Sequence, residues 1–302
     1  MYHRVCERDA STASYFARGT AVTTDTFIRH LHWLGERLRF VSLPAALSDP
    51  GPDPVCALTF DDGYSDVARV VQPLCAERGI PIAVFPIAER LASATTAAWF
   101  DDYYDLLHRA RRREGFTTKE LGIGGNGFAP AIDGELTWWV RGPLKQRIAS
   151  LKPGDQRRAL DELGHSLQTT RDPRLSGRLY LSLAELRRLS EQGATIGGHG
   201  ATHRRLDSLT ESEALSELRA SAELLDALCV EPPRVFCYPD GGHSEATARL
   251  VAKCGFSFAL TVEPGMWSSA ENPYRVPRHL MRETTTRQQI DAMCGNPDER
   301  IP

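Results

Sequence analysis

Repeated strand–helix units predict an α/β protein, with a parallel sheet or barrel on the inside and helices outside it. Two observations carry this. Short apolar runs alternate with stretches of helical periodicity, and Gly, Pro or capping residues separate one from the next. Val55-Cys56-Ala57-Leu58-Thr59-Phe60 reads as a buried strand. Asp61-Asp62-Gly63 follows, then a helix from about Ser65 to Arg78, stopped by Gly79 with Pro81 beyond it. Ile82-Ala83-Val84-Phe85 is the second strand. Ser182 and Glu185 form a capping box for a helix through Leu183, Leu186 and Leu189, which Gly193 ends before a strand at Ala194-Thr195-Ile196. Thr210 and Glu213 repeat the device for a helix bearing Leu215, Leu218, Ala222 and Leu225. Then come a strand over 234–238, a helix near 245–254 and a strand over 256–262.

From about Ala97 to Gly177 this rhythm stops. The segment is Arg-rich and aromatic (Trp99-Phe100, Tyr103-Tyr104, Trp138-Trp139) and shows no convincing strand. A helical insertion over 97–178 is expected, beside a barrel built from 1–96 and 179–295. Its aromatics Trp99, Phe100, Tyr103 and Tyr104 fit a core better than a sugar-stacking platform. Arg109–Arg113 reads first as a solvated helix face, and second as a contact for an anionic part of a substrate.

Composition narrows the classes. With 302 residues, 41% hydrophobic and 25% charged, the chain is globular and long enough for a large core. A net charge of −3 provides no global basic field for nucleic acid. No window approaches 18 consecutive apolar residues, and Met1-Tyr2-His3-Arg4-Val5 lacks the apolar core of a signal peptide. The seven cysteines are scattered and free of CxxC pairs. They read as reduced thiols, which places the chain in the cytoplasm, although removal of a leader would leave the same pattern.

Three constellations sit where strands end, the edge at which parallel α/β folds gather their sites. Asp61 and Asp62 leave a buried strand at Gly63; adjacent residues there face different sides, so one carboxylate can hold a metal while the other faces substrate. The plain alternative is an Asp-Asp-Gly turn. In Gly197-Gly198-His199-Gly200-Ala201-Thr202-His203, the two histidines converge on one cation if the backbone makes a helical turn; singly, structural histidines are commoner. Phe236-Cys237-Tyr238-Pro239-Asp240-Gly241-Gly242 is either a simple turn or one that aims backbone N–H groups at an oxyanion. An Asp-His-His set with open coordination positions suits a divalent metal, zinc first.

With TFDDG, HGATH and FCYPDGG in this order, the chain resembles the polysaccharide deacetylase family, carbohydrate esterase family 4 or the NodB-homology domain, over roughly 1–96 and 179–280. The resemblance implies a distorted (β/α) barrel and metal-dependent removal of N-acetyl groups from the amino sugars of a carbohydrate partner. By position, Asp61 would be the general base, and Asp62, His199 and His203 the ligands of zinc, with cobalt and nickel as alternatives. Tyr64, Tyr238, Pro239 and Asp240 would lie on the substrate and oxyanion side. In such a site the metal activates water and polarises the amide carbonyl, and a general acid must protonate the amine that leaves.

Two departures stand out. Where the family's third motif commonly carries an Arg that orients the base, this chain has Cys237; Arg278 is the expected substitute, arriving from a neighbouring strand end. The usual late Leu-x-His triplet is absent. His279 is one candidate acid, but Met1-Tyr2-His3-Arg4-Val5 resembles the opening of a permuted subgroup whose acid lies near the N-terminus, which favours His3. The plain alternative for His3 is a disordered terminal residue. His30, His32, His108, His165 and His243 are expected to be surface or structural. Rival functions are a deformylase or other amidase on non-peptide C–N bonds, and an inactive carbohydrate-binding relative.

Overall fold

A computed structural model describes residues 1–48, 53–92, 97–112 and 140–294. Trp138, Trp139 and Arg113 fall outside these. The strands are short and parallel: β1 (Arg4–Val5), β2 (Ala21–Val22), β3 (Arg39–Phe40), β4 (Val55–Cys56), β5 (Leu58–Asp62), β6 (Ile82–Pro86), β7 (Thr195–Ile196), β8 (Val235–Cys237) and β9 (Phe258–Leu260). Ladders join β1 to β2, β3 to β4, β5 to β6 to β7, and β8 to β9. Single bridges extend them: Tyr2 pairs with Phe60, Gly198 with Phe236, and Leu260 with Val276. Among the described residues these ladders do not close a continuous barrel. Beyond Val276 the chain crosses to the first strand, where the Met281 N–H donates to the Met1 carbonyl at 3.0 Å.

Helices cover the outside. They are α1 (Ala13–Arg18), α2 (Thr24–Gly35), α3 (Leu43–Ser48), α4 (Gln72–Ala76), α5 (Ala88–Ala92), α6 (Trp99–Arg111), α7 (Pro143–Ala149), α8 (Pro153–Ser166), α9 (Leu175–Leu179), α10 (Leu183–Glu191), α11 (Glu211–Ala227), α12 (Glu245–Lys253) and α13 (Arg287–Met293). Both expected capping boxes are made: Ser182 with Glu185 before α10, and Thr210 with Glu213 before α11. Leu186, Leu189, Leu218 and Leu225 are buried on the inner faces of these two helices, and each such side chain contributes about 1.5–3 kcal/mol of transfer free energy. The expected helix over 65–78 begins instead with a π-helical turn, Val67–Val71. Pro73 has no N–H to continue an α-helical ladder, which accounts for the break in register at that point.

β5 and β6 are buried along their whole length, as two-face coverage of a parallel sheet requires. The main core lies between them and α2, α10 and α11. A second core holds α6 to α9 together, with Tyr15 and Phe16 of α1 and Ile87 joining it to the strands. All described helices and strands between residues 97 and 178 are helical.

Candidate active site and metal centre

The site forms where β5, β7 and β8 end. Asp62 (φ 70°) and Gly63 (φ 75°) both take left-handed backbone, which reverses the chain within two residues. A Cβ at Gly63 would lie 2.7 Å from that of Pro86, so glycine alone fits the bend. The reversal sends the two carboxylates apart: Asp61 toward Arg278, Asp62 toward the histidines.

After β7, Gly197 and Gly198 carry the ladder from β6 to β8, donating to Val84 O and Val235 O at 2.9 Å each. A side chain at Gly197 would meet the Phe85 ring at 2.3 Å. The next residues do not form the helical turn that the i, i+4 spacing of His199 and His203 predicts. They form an open loop, with Gly200 (φ 76°) and His203 (φ 66°) in left-handed conformation. Glu217 of α11, buried beneath the loop, explains why. Its carboxylate accepts from the Ala201 N–H (2.8 Å), the Thr202 N–H (2.8 Å) and the Thr202 hydroxyl (2.5 Å). Backbone bonds from Ala88 and Glu89 to Gly200 O and Ala201 O clamp the other side.

The loop brings Nε2 of His199 and Nε2 of His203 each to 3.3 Å from Oδ1 of Asp62. His199 Nδ1 donates to Cys237 O at 2.8 Å, which leaves Nε2 as the lone-pair nitrogen of the neutral ring. Asp62 Oδ1, buried, has no hydrogen-bond donor. With both rings neutral these three atoms turn lone pairs on one another, and a cation among them relieves that repulsion; with no ion present, protons on the rings do so, and the Asp62 carboxylate holds both histidines above the usual imidazole range against their burial. Donors about 2.0–2.1 Å from a tetrahedral zinc stand about 3.3 Å apart, the spacing found here. The residues present therefore fit a divalent ion. A second group of possible ligands, Asp61, His199 and Cys237, already surrounds a guanidinium, since Arg278 Nη2 reaches both Asp61 and the Cys237 sulfur at 2.9 Å.

Arg278 arrives beyond Val276, beside β9, and grips Asp61 with both nitrogens, Nη1 to Oδ1 at 2.8 Å and Nη2 to Oδ2 at 2.9 Å. Its Nε donates to Thr261 O and Nη1 also donates to Thr59 Oγ1. Burial alone would raise the Asp61 pKa, but the guanidinium outweighs it and holds the carboxyl well below the usual range. For Asp62 burial is again outweighed, here by His203 and His199.

His3 is ordered. Tyr2 adds one rung to β5, donating to Thr59 O at 2.8 Å and accepting from Asp61 N at 3.0 Å, and so sets the next residue at the mouth of the site. Burial lowers the His3 pKa, opposed by the fields of Asp62 and Asp61, and its Nδ1 has no partner. His279 also lines the cleft with a partnerless Nε2, its pKa lowered by burial, but the carboxylates exert no such pull on it.

All of these groups face one cleft of about 650 Å³. Tyr64, Tyr238 and Asp240 line it too, whereas Pro239 is buried behind Gly200 and forms no part of the wall. The Tyr64 hydroxyl is committed to Asp101 at 3.1 Å, as are those of Tyr15 (2.5 Å) and Tyr180. Asp240 has left-handed backbone (φ 47°). In its turn the Tyr238, Gly241 and Gly242 N–H groups are spent on Leu260, Tyr238 and Pro239 carbonyls, which leaves the Asp240 N–H as the donor for a ligand. The aromatics divide between core and cleft: Tyr103 is fully buried, Tyr104 is largely buried but reaches the cleft wall, and Trp99 and Phe100 face the cleft, Phe100 with its ring 5.0 Å from that of His203. Arg109 lies away from this cleft and pairs with Asp105 and Asp172. His30 is buried in the core on Tyr2 and Thr285 O, and His243 stacks on Tyr238.

Parallel strands end on a two-histidine, one-carboxylate cluster that could hold a metal ion, beside a carboxylate clamped by arginine, in a protein of the α/β class. Residues 163–259 match the model of the polysaccharide deacetylase family. The YxkH protein of Bacillus subtilis, provisionally named a polysaccharide deacetylase, is 27% identical over 99 residues, 33% of this chain and 36% of that protein. The chain thus aligns with about a third of that relative's length. Among solved structures, the deacetylase PplD of Streptococcus pyogenes in complex with acetate has a TM-score of 0.61 at 15% identity, covering 98% of this chain and 96% of that one. A de-N-acetylase from Aggregatibacter actinomycetemcomitans has the same score at 14% identity and 97% coverage of both chains. IcaB from Ammonifex degensii scores 0.58 at 16% identity, covering 98% and 95%. At these identities the likeness is one of fold, the distorted (β/α) barrel of the NodB type. Over residues 163–259 the chain is similar to the polysaccharide deacetylase family.

Proposed function

We propose that this protein is a metal-dependent carbohydrate N-deacetylase, a hydrolase that cleaves the amide of an N-acetylated amino sugar and releases acetate. The observation that carries the reading is the pairing, at one strand end, of a metal-ligand set on Asp62 with an arginine-clamped carboxylate on Asp61. Asp62, His199 and His203 would hold the ion, and zinc suits two imidazoles and a carboxylate at tetrahedral spacing. When bound, the ion supplies Lewis acidity toward water and the amide carbonyl. Asp61, fixed and ionised by Arg278, accepts a proton as the water oxygen bonds to the carbonyl carbon. The Asp240 N–H donates to the carbonyl oxygen as charge develops there. His3 delivers a proton to the sugar nitrogen, the C–N bond breaks, and amine and acetate leave.

Residues 97–178 are assigned to framing the substrate, because Trp99, Phe100, Tyr104 and Lys145 reach the cleft from that segment. Seven unpaired cysteines suit a reducing, cytoplasmic compartment. No helix is long and apolar enough to cross a membrane among the described residues.

The test is release of acetate from N-acetylated sugars, abolished by a chelator and restored by zinc. Asp61→Asn should keep the metal and lose the rate, and His203→Ala should lose both. Formate in place of acetate would select a deformylase. Sugar binding without turnover under any added divalent ion would select an inactive relative.

A further inference from the structure

One wall of the cleft carries charge that hydrolysis does not use. Arg18 at the end of α1, Arg141 just before α7, Lys145 within α7, and Arg282 all line it. Short contacts hold them together. Arg141 Nη2 donates to the Arg18 carbonyl at 2.9 Å. The Arg282 guanidinium covers Gly19, where a Cβ would come within 2.2 Å of Nη1. Lys145 Nζ donates to the Tyr104 hydroxyl at 2.6 Å and stands 4.7 Å and 5.8 Å from the Tyr104 and Trp99 ring centres. Among the described residues the cleft's acids are Asp61, Asp62 and Asp240. Asp61 is committed to Arg278 and Asp62 to the imidazoles, which leaves Asp240 alone to face four cations, its Oδ1 3.9 Å from Arg18 Nη2.

This crowding has a cost visible on the side chains themselves. Burial, then the neighbouring Arg18, brings the Lys145 pKa down to about 8. Burial followed by Arg141 and Arg18 lowers that of Arg282. Like charges gathered on a low-dielectric wall attract and concentrate an anion, which relieves their repulsion. The wall is also connected to the chemistry. The His203 ring meets Phe100 at 5.0 Å, Phe100 meets Trp99 at 5.8 Å, and Trp99 meets the Lys145 ammonium. An aromatic path suited to sugar faces therefore runs from the metal ligands to the cations.

We propose that this wall is a subsite for an anionic group, a phosphate or carboxylate, carried by the amino-sugar substrate close to its N-acetyl unit. The inference rests on the N-deacetylase reading and narrows its substrate class to anionic glycans or anionic glycosyl carriers. A glycosyl phosphate places its charge at the reducing end, and an acidic polysaccharide places it on the neighbouring residue; both present the same chemistry to Arg141 and Lys145.

The zinc-loaded full chain is assayed by hydrolysis of p-nitrophenyl acetate, which needs no sugar. Inhibition is compared within two pairs, each of a neutral and an anionic N-acetylated sugar: methyl N-acetylglucosaminide against N-acetylglucosamine 1-phosphate, and chitin oligomers against hyaluronan oligomers. The charged member of at least one pair should inhibit about tenfold better or more. That advantage should shrink with added salt and collapse in the Arg141→Gln/Lys145→Gln double variant. An advantage confined to the phosphate assigns the charge to a carrier, and one confined to hyaluronan assigns it to the polymer. Equal inhibition within both pairs overturns the proposal, as does an advantage that survives the double substitution, since the anion then sits elsewhere. Absence of both ester hydrolysis and acetate release overturns the hydrolase reading instead.

Discussion

Arg278 is the side chain whose replacement tests the site most directly. It spends both terminal nitrogens on Asp61, at 2.8 and 2.9 Å, in a pocket where both side chains are almost fully buried. Lysine preserves the charge but offers a single ammonium in place of a planar fork, so Arg278→Lys loses one of the two charge-assisted bonds. Such a bond contributes about 1.5–3 kcal/mol. If about 2 kcal/mol of that fixes the base where the water must be deprotonated, then at 1.36 kcal/mol per decade kcat falls about 30-fold. The metal ligands make no contact with Arg278, so zinc content should not change. Arg278→Met goes further: it leaves the Asp61 carboxylate buried and unpaired, a loss of about 3–5 kcal/mol in stability. Acetate release under saturating substrate, zinc stoichiometry and chemical denaturation read these three quantities separately. Arg278→Lys with kcat within about threefold of the parent, at full zinc loading, would refute the positioning of Asp61 by the guanidinium.

Three further substitutions separate roles within the cleft. His3→Ala should lower kcat on amides by about 10²–10⁴-fold while barely touching activated esters, whose leaving groups need no proton; the same pattern in His279→Ala and not in His3→Ala would move the acid. Glu217→Gln puts an amide group against three donors in the 200–203 loop and should weaken zinc binding about 10–100-fold in chelator competition, with unchanged affinity ruling out a positioning role. Asp101 is pushed up to about 6 from 3.8, by burial above all, with the Tyr15 and Tyr180 hydroxyls opposing. Between those pH values the unfolded chain has released a proton that the folded chain keeps, so stability falls as pH rises through the window. At 1.36 kcal/mol per pH unit the fall amounts to about 3 kcal/mol. Asp101→Asn removes the ionisation, so the variant should gain on the parent between pH 4 and 6 in thermal unfolding, whereas a constant difference would refute it.

The parts of the molecule legible in its sequence are those whose signal is local. Buried parallel strands read as unbroken apolar runs, and capping boxes read from two residues three apart. The strand-end motifs could be grouped because short loops leaving a parallel sheet share one edge, so Asp61, His199 and Asp240 come together with no long-range information. Even the exchange of Cys237 for arginine could be followed to Arg278, since Val276 lies beside β9 and the next residues must pass the same edge. The HxxxH spacing misled in its geometry and not in its outcome. The loop is held open by Glu217, fourteen residues beyond His203 on the buried face of α11.

Glu217, Asp101 and Lys145 share the reason they could not be read in advance. Each is a polar residue on an amphipathic helix, where the ordinary expectation is exposure, and each is drawn inward by partners that only the fold supplies: a loop of N–H groups, a trio of tyrosine hydroxyls, an aromatic wall. The strain follows the same division. Of the five non-glycine residues with positive φ among the described residues, Asp62, His203 and Asp240 lie in the site. Left-handed backbone of this kind costs about 1–3 kcal/mol per residue and persists only where surroundings over-determine it. Here the surroundings are the strand ends themselves, so the geometry of the candidate site belongs to the strands. Of the cations on the cleft wall, Arg18 lies in α1, Lys145 in α7 and Arg141 just before it, on segments that carry none of the proposed metal ligands or proton-transfer groups. On the two proposals made above, bond cleavage and choice of substrate rest on different segments of chain, and removing the charges of Arg141 and Lys145 should shift the preference among sugars while leaving the zinc content unchanged.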